Sequence, residues 1–339
     1  MRAWRVRTIV FCCALGLTGQ SAARSAAGPL GRLAVTTVDR GVMWVAVVNA
    51  DGSGVRRLTA APGHSVTPVW APDGRRLAYT HIEGNESQIY LINAEGTGRR
   101  RLTGSPGVAL LPAWSPDGTR IAFVRRLRSA SRIVVANVDR PGETPLTPEG
   151  DNTAPAWSPD GHLIAFVARG EEHPDLYVMR ADGTDQRRLT RDGVLLRPGI
   201  VQPAWLPDSR AIAFVERIGR FEQQISIINT DGTGYRRFAT GYAPAWSPDG
   251  RKVGFVVARH GDAQIYVANA DGTAPLKLTP SSVNLLPTWS PDGTQLAFLA
   301  RRNGDLALWV MRADGSNQRR LAVAAGDLSQ LPVFSWQPK

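Results

Sequence analysis

Trp114-Ser-Pro-Asp-Gly118, followed by the apolar run Ile121-Ala-Phe-Val124, is one copy of a motif that recurs along the chain. Proline at the second turn position fixes φ, aspartate bonds to the turn backbone, and glycine tolerates the closing conformation. Each copy therefore predicts two short strands joined by a tight turn. The tryptophans of the six copies are Trp70, Trp114, Trp157, Trp205, Trp246 and Trp289, and the aspartates are Asp73, Asp117, Asp160, Asp208, Asp249 and Asp292.

The spacing of the copies indicates the architecture. Successive tryptophans are 44, 43, 48, 41 and 43 residues apart. Each interval also holds a third apolar run and, in most copies, an Ala-Asp-Gly turn such as Ala270-Asp-Gly272 before a fourth run. Asp-Gly between two β-rich runs is a strong hairpin signal. A period near 40–45 residues with four short strands is typical of a β-propeller.

The number of blades follows from counting the runs. Third-strand runs number seven, near Val45, Ile89, Ile133, Leu176, Ile225, Ile265 and Leu308. The seventh inner strand is then Leu331-Pro-Val-Phe-Ser335, with Phe334 in the place of the tryptophan. We therefore predict an all-β, seven-bladed propeller of four-stranded antiparallel blades, closed by the C-terminal strand, which removes exposed sheet edges. Six blades is the alternative.

The repeat resembles that of a known family. Trp114 to Phe123, together with Ile265-Tyr-Val-Ala-Asn-Ala-Asp-Gly272, is similar to the WD40-like Pro-Asp repeat of TolB-like propellers, from about Leu30 to Phe334. This resemblance implies a propeller that binds other proteins. Similar repeats also occur in the propellers of prolyl-oligopeptidase-type peptidases and of some secreted polysaccharide lyases.

The first 27 residues have the pattern of a secretory signal peptide. Arg2, Arg5 and Arg7 precede an apolar run, 8–18, that is too short to span a bilayer, and small residues end at Ala27. Residues 28–339 are then a single propeller domain, exported to the periplasm or secreted, with no transmembrane segment. Both cysteines, Cys12 and Cys13, lie inside the signal. The mature chain would therefore contain no disulfide.

The repeated residues and the basic pairs are interpreted as structural. A tryptophan at one place in every repeat is expected to pack between neighbouring blades, and the turn aspartates are explained by turn chemistry. Pairs such as Arg56-Arg57 and Arg236-Arg237 fall on the predicted outermost strands, where charge opposes edge-to-edge pairing. We expect no nucleic-acid partner, and attraction to an acidic envelope polymer is the alternative role of the basic pairs.

No motif of catalysis or cofactor binding is present in the sequence. The five histidines show no metal-ligand spacing, and neither a Gly-x-Ser-x-Gly elbow nor a phosphate-binding glycine loop occurs. We therefore expect no metal, no cofactor and no enzymatic activity. The alternative is a lyase or hydrolase acting at the mouth of the central channel.

A binding site is expected on the irregular loops between blades, because binding residues concentrate on variable loops of a rigid scaffold. The longest such loop, 190–202, contains an apolar stretch followed by arginine, which is typical of interaction patches. We expect a monomer that binds an unidentified protein or envelope component there. The candidate residues are Asp151, Asn152, Arg191, Asp192, Leu196, Arg197, Gln202, Tyr242, Asn284, Asp327 and Gln330.

Overall fold

The computed structural model describes residues 31–104, 106–128, 130–169, 174–190, 203–218, 222–259, 261–280, 282–324 and 334–339. These residues form strands and connections, and none of them forms a helix long and apolar enough to cross a membrane. In chain order the strands are β1 (Arg32–Asp39), β2 (Val42–Asn49), β3 (Arg56–Arg57), β4 (His64–Trp70), β5 (Arg76–Glu83), β6 (Glu86–Asn93), β7 (Arg100–Arg101), β8 (Val108–Trp114), β9 (Arg120–Leu127), β10 (Ala130–Asn137), β11 (Glu143–Pro145), β12 (Asn152–Trp157), β13 (Leu163–Arg169), β14 (Pro174–Arg180), β15 (Arg187–Arg188), β16 (Ala204–Trp205), β17 (Ala211–Ile218), β18 (Glu222–Asn229), β19 (Arg236–Thr240), β20 (Tyr242–Trp246), β21 (Lys252–Arg259), β22 (Asp262–Asn269), β23 (Leu276–Lys277), β24 (Asn284–Trp289), β25 (Gln295–Arg302), β26 (Asp305–Arg312), β27 (Arg319–Ala324) and β28 (Phe334–Trp336).

The arrangement of the sheets corrects the predicted number of blades. Five sheets contain four strands each, in the orders β28-β1-β2-β3, β12-β13-β14-β15, β16-β17-β18-β19, β20-β21-β22-β23 and β24-β25-β26-β27. Strands β4 to β11 form one eight-stranded sheet, in which the units β4–β7 and β8–β11 are joined by a parallel pairing of Ser87 with Val108. The prediction of seven separate four-stranded blades is wrong, and so is the alternative of six. The described part of the propeller has five such blades and the eight-stranded sheet.

The pairing that joins the two units depends on where β8 begins. Equivalent parallel contacts, Ser131 with Asp151 and Ala263 with Val283, are isolated bridges, so the sheets there remain separate. A glutamine contact does not make the difference, because the Gln88 amide donates to Gly107 at 3.1 Å and the Gln264 amide donates to Ser282 at 3.0 Å. Strand β8 already begins at Val108, which pairs with Arg126 as well as with Ser87, and this extra residue takes the parallel pairing into the sheet.

The C-terminal strand lies beside the first strand of the propeller. In β28, Phe334 pairs with Val35 and Trp336 with Leu33. Trp70 pairs with Leu77 at the corresponding place of the next unit, so Trp336 and not Phe334 occupies the tryptophan position. The prediction for Phe334 is therefore wrong by two residues. Trp336-Gln-Pro338 preserves the Trp-x-Pro spacing of the other copies, which is the signal that identifies it.

The hydrophobic core lies between neighbouring sheets. One cluster joins Leu33 and Val48 of the first sheet to Leu299 and Leu308 of the last four-stranded sheet, with Trp336 at 1% exposure among them. Similar clusters fill the spaces between the other sheets. Each sheet buries its two faces against its neighbours, so stability depends on an unbroken succession of sheets.

The innermost strands share an irregularity. In five of them the register shifts at a residue that directly precedes proline, and that residue has a φ between 52° and 58°: Thr67, Leu111, Ala154, Ala243 and Leu286. Proline has no amide hydrogen for the ladder, so a β-bulge is the place where a strand tolerates it. The bulge interrupts the inner ladder at the same level in each of these strands.

The antiparallel order gives every unit two different ends. We call turn face the end that carries the β8–β9 and β10–β11 connections and their equivalents. We call loop face the opposite end, which carries the β9–β10 and β11–β12 connections and their equivalents. The turn face therefore contains the repeated Pro-Asp-Gly and Asp-Gly turns, and the loop face contains the connections that vary from unit to unit.

Removing the C-terminal strand is expected to destabilise the whole ring. A chain that ends before Leu331 loses β28 and the buried side chains of Phe334 and Trp336, each of which contributes about 1.5–3 kcal/mol by burial. We expect a large fall in the melting temperature by calorimetry. A chain that ends at Gln337 keeps β28 and is the control. Equal melting temperatures of the two truncated chains would show that closure does not depend on β28.

Candidate functional site

The repeated aspartates of the turn face are engaged by their own turns. Asp249 accepts hydrogen bonds from the Ser247 hydroxyl at 2.6 Å and from the Arg251 amide at 3.1 Å. These bonds, the serine bond first, lower the pKa of Asp249 below its ordinary value. Asp271, in a β22–β23 turn, is held in the same way by Thr273. Both carboxylates are therefore bonded within the turns that contain them.

The repeated tryptophans link neighbouring sheets. In six of the seven inner strands the indole Nε1 donates to a carbonyl on the inner strand of the preceding unit, at 2.9–3.2 Å. The pairs are Trp70 with Ser335, Trp114 with Val69, Trp157 with Ala113, Trp205 with Ala156, Trp289 with Ala245 and Trp336 with Thr288. The Nε1 of Trp246 is buried and has no hydrogen-bond partner among the described residues. The indole ring thus packs between two sheets, and its N–H group orients one sheet against the other.

The arginine pairs have a role that the sequence interpretation missed. The second arginine of a pair bends back to the carbonyl of the threonine two residues on: Arg57 to Thr59 at 2.7 Å, Arg101 to Thr103 at 2.6 Å and Arg188 to Thr190 at 2.8 Å. The threonine hydroxyl also accepts a hydrogen bond from a backbone amide of the third strand. Thr103, for example, accepts from the Ile89 amide at 3.0 Å. The recurring Arg-Leu-Thr triplet is the sequence signal that could have predicted these hydrogen bonds.

Two of the predicted loop-face residues hold loops in place. Asn152 and Asn284 are 7% and 0% exposed. The Asn152 amide donates to the carbonyls of Ser131 and Pro148, both at 3.1 Å, and the Asn284 amide donates to Ala263 at 3.0 Å. Asn284 also accepts from Arg302 at 3.1 Å. Their amide groups therefore position the connection that enters each inner strand.

Asp151 and Tyr242 are the other predicted residues that the structure describes. Asp151 is exposed, and its backbone carbonyl accepts from the Arg169 amide at 3.0 Å. Tyr242 is half-buried and packs against the clusters on both sides of β20. It follows Gly241, whose φ of 143° permits the shortest passage from a fourth strand to the next inner strand. Seven predicted residues lie outside the described residues: Arg191, Asp192, Leu196, Arg197, Gln202, Asp327 and Gln330.

A buried ion pair lies under the loop face between β6 and β11. The Arg125 guanidinium is 2% exposed and contacts the Glu143 carboxylate at 2.7 Å. It also donates to Gln88 at 3.3 Å, and Gln88 accepts from the Thr103 hydroxyl at 2.6 Å. Glu143 accepts from the Gly104 amide at 2.9 Å. Arg125 and Glu143 belong to the unit β8–β11, and their hydrogen bonds with Gln88 and Gly104 connect this unit to β4–β7.

A serine, a histidine and a glutamate also lie close together in the eight-stranded sheet. The Ser65 hydroxyl is 3.2 Å from His81 Nδ1, and His81 Nε2 is 3.7 Å from the Glu83 carboxylate. Burial, and then the charge of Arg99, lowers the pKa of His81. Ser65 is only 2% exposed, so its hydroxyl is closed to a substrate carbonyl. We therefore assign these residues to the packing between β4 and β5.

A metal site would need several ligands in one place. Within the described ranges, no three histidine, cysteine, aspartate or glutamate side chains are placed to hold a metal ion.

Comparison with known proteins agrees with this architecture. The TolB beta propeller domain family matches residues 25–148, 100–241 and 240–339. The chain therefore belongs to that family. No curated protein matches the sequence.

Solved structures share the fold at low sequence identity. TolB from Acinetobacter baumannii has 19% identity and a TM-score of 0.60 over 88% of this chain and 79% of its own. An oligogalacturonate lyase in complex with manganese has 15% identity and a TM-score of 0.67, over 83% and 85%. A puromycin-hydrolysing peptidase of Mycobacterium tuberculosis has 14% identity and a TM-score of 0.69, over 88% of this chain and 54% of its own.

The tryptophan bonds give a matched pair of substitutions. Trp157→Phe removes the indole donor to the Ala113 carbonyl, which is also part of the β8–β9 ladder, so we expect a loss of about 0.5–1.5 kcal/mol in the free energy of unfolding. Trp246→Phe removes an indole that has no described partner, and we expect a clearly smaller loss. Denaturant unfolding of both variants measures the difference. Equal losses would mean that the inter-sheet hydrogen bond contributes nothing beyond ring packing.

The turn aspartates predict loss of stability in acid. Eight of them have a pKa lowered from the ordinary value of 3.8: Asp51, Asp117, Asp182, Asp231, Asp249, Asp271, Asp292 and Asp314. A carboxylate with a lowered folded pKa stabilises the folded chain above the unfolded pKa, and this contribution disappears as the pH falls through the folded pKa. We expect a melting temperature that is steady above about pH 5 and falls steeply below about pH 3.8.

The control for the acid effect is Asp271→Asn, which keeps the turn geometry and removes one titrating group. Its melting temperature should fall less between neutral and acid pH than that of the parent chain. The same acid dependence in both proteins would remove Asp271 from the list of stabilising carboxylates.

Proposed function

We propose that this chain is an exported, non-catalytic propeller that binds a protein or another envelope component through its loop face. The observation that carries the proposal is the difference between the two faces. On the turn face the repeated aspartates bond within their own turns, as Asp249 and Asp271 do. The loop face carries residues found in single units only, and such residues on a rigid scaffold are where recognition concentrates.

The proposed contact residues follow from this division. Among the described residues, Asp151 is exposed on the loop face and Tyr242 stands at the shortest connection between units. Arg191, Asp192, Leu196, Arg197, Gln202, Asp327 and Gln330 are added from the sequence. Asn152 and Asn284 position the connections and are not proposed as contacts, because their amides are bonded to the backbone.

Export is part of the proposal. The basic residues Arg2, Arg5 and Arg7, the short apolar run and the small residues ending at Ala27 support a cleaved signal and a mature domain of residues 28–339 in the periplasm or outside the cell. Membership of the TolB beta propeller domain family is consistent with that location and with a protein partner. We propose that the mature protein acts as a monomer.

The enzymes among the structural neighbours add no weight to a catalytic role. The lyase and the peptidase share the fold at 15% and 14% identity, and the fold supports many unrelated activities. The binding role is therefore argued from the loop face of this chain.

The test is partner capture followed by loop-face substitution. The mature protein is immobilised, the retained envelope component is identified, and its dissociation constant is measured by titration. Leu196→Ser with Arg197→Ala, in the chain segment that connects β15 to β16, should weaken binding about tenfold or more if the pair is a hot spot. His162→Ala lies in an exposed turn of the opposite face and should change the affinity less than about twofold. Equal affinity of both folded variants would remove the longest loop from the proposed site.

A further inference from the structure

The turn face contains two charge clusters that the loop-face proposal does not use. In the first junction cluster, Arg32 and Arg56 both contact the carboxylate of Glu95 on the next unit. In the second junction cluster, Arg76 and Arg100 both lie beside Asp139, at 3.6 and 3.9 Å. The three members of the second cluster each follow their counterparts in the first by 44 residues. The two clusters are thus the same arrangement one repeat apart.

This arrangement is not general to the propeller. At the equivalent place of the next junction, Arg120 is present but the outer-strand position is Thr144. Further along, Arg187, Arg236 and Arg319 keep the outer-strand arginine, while Leu163, Ala211 and Gln295 replace the inner one, and the unit β20–β23 has Lys252 and Leu276 at the two positions. Asp185 also lies beside two arginines, Arg180 at 3.8 Å and Arg187 at 3.6 Å, but all three belong to one unit. Among the described residues, two guanidinium groups beside a carboxylate of the next unit therefore occur at two neighbouring junctions. A binding surface needs residues that differ from those of the other units and lie in neighbouring units. A structural contact of the repeat would instead recur in every unit.

The clusters have charge to offer a ligand. The first cluster contains two cations and one carboxylate, and in the second the Asp73 carboxylate also lies 3.6 Å from Arg76. The side chains of Arg56, Arg100 and Asp139 are accessible, with exposures of 54%, 46% and 76%. The flanking residues Arg57, Arg75, Arg99 and Arg101 are also exposed. Guanidinium groups bind oxyanions through paired N–H donors, and the bonds to Glu95 hold two of them in fixed positions.

We propose that the two junction clusters form a binding surface for a linear polyanion, a polymer that carries carboxylate or phosphate groups along one chain. The clusters follow one another around the rim of the propeller, so one extended chain of anions could contact both. The carboxylates of Glu95 and Asp139 compete with the polymer for the same arginines. They therefore lower the affinity for the polymer.

The first experiment measures binding of fluorescent poly-L-glutamate, and separately of polyphosphate, to the full mature chain by anisotropy. Affinity for one or both polymers is expected to fall steeply between about 50 and 300 mM salt. Arg56→Gln with Arg100→Gln should weaken binding about fivefold or more. The control is Arg236→Gln with Arg319→Gln, which removes the same charge from the same strand position elsewhere and should change the affinity less than about twofold.

A second pair of variants keeps the test valid if the arginine variant unfolds. Glu95→Gln with Asp139→Asn removes the competing carboxylates and should tighten polymer binding several-fold, which a purely structural role would not produce. The matched control is Asp231→Asn with Asp271→Asn.

The outcomes that overturn the proposal are also defined. Equal effects of test and control variants would show diffuse attraction by net charge. Failure of both polymers to bind would reject the surface. Binding to phosphatidylglycerol vesicles in place of the polymers would assign the arginines to a membrane surface instead.

Discussion

The bond between a tryptophan indole and the neighbouring inner strand is the interaction on which the rest of the fold depends. The donor lies in one unit and the acceptor in the preceding one, so a unit that makes this bond is not complete by itself. The bonds run from Trp70, which donates to Ser335 of the C-terminal strand, to Trp336, which donates to Thr288. Trp246 is the exception, because its Nε1 has no described partner. The hydrophobic clusters lie in the same spaces between sheets. Each unit is therefore stabilised by its neighbours, as in other repeat proteins. The C-terminal strand must reach the first unit, because it supplies the acceptor for Trp70 and the donor Trp336.

The sequence predicted those features that repeat and failed on those that depend on a single residue. The tight turns, the outer-strand arginine pairs and the pairing of the C-terminal strand with β1 follow from period and composition. The fusion of two units into an eight-stranded sheet does not, because it rests on one residue at the start of β8, Val108, which pairs with Ser87. Phe334 was placed two residues early because the comparison relied on Leu-Pro and overlooked the Trp-x-Pro spacing of Trp336. The candidate site was less predictable, because exposure of Asn152 and Asn284 could not be deduced from their position in a loop.

Among the described residues, many of the polar side chains that repeat from unit to unit bond within their own units. The turn aspartates bond to serine, threonine and amide groups of their own turns, and the second arginine of several pairs bonds to a threonine carbonyl. A residue type repeated in register is thus explained by geometry that every unit shares. What distinguishes one unit from another is the remaining set: the exposed connections of the loop face and the paired arginines of two adjacent junctions.

The two faces therefore differ in how a ligand would be recognised. On the loop face the buried amides of Asn152 and Asn284 fix the point where a connection enters its inner strand, so the exposed part projects from a rigid base. A rigid base lowers the entropy cost of ordering the connection on binding, and it favours a partner of defined shape. On the turn face a ligand would meet the arginines of the two junction clusters, whose guanidinium groups lie beside the carboxylates of Glu95 and Asp139. Recognition by charge selects a class of polyanion and weakens with salt, whereas recognition by shape selects one partner.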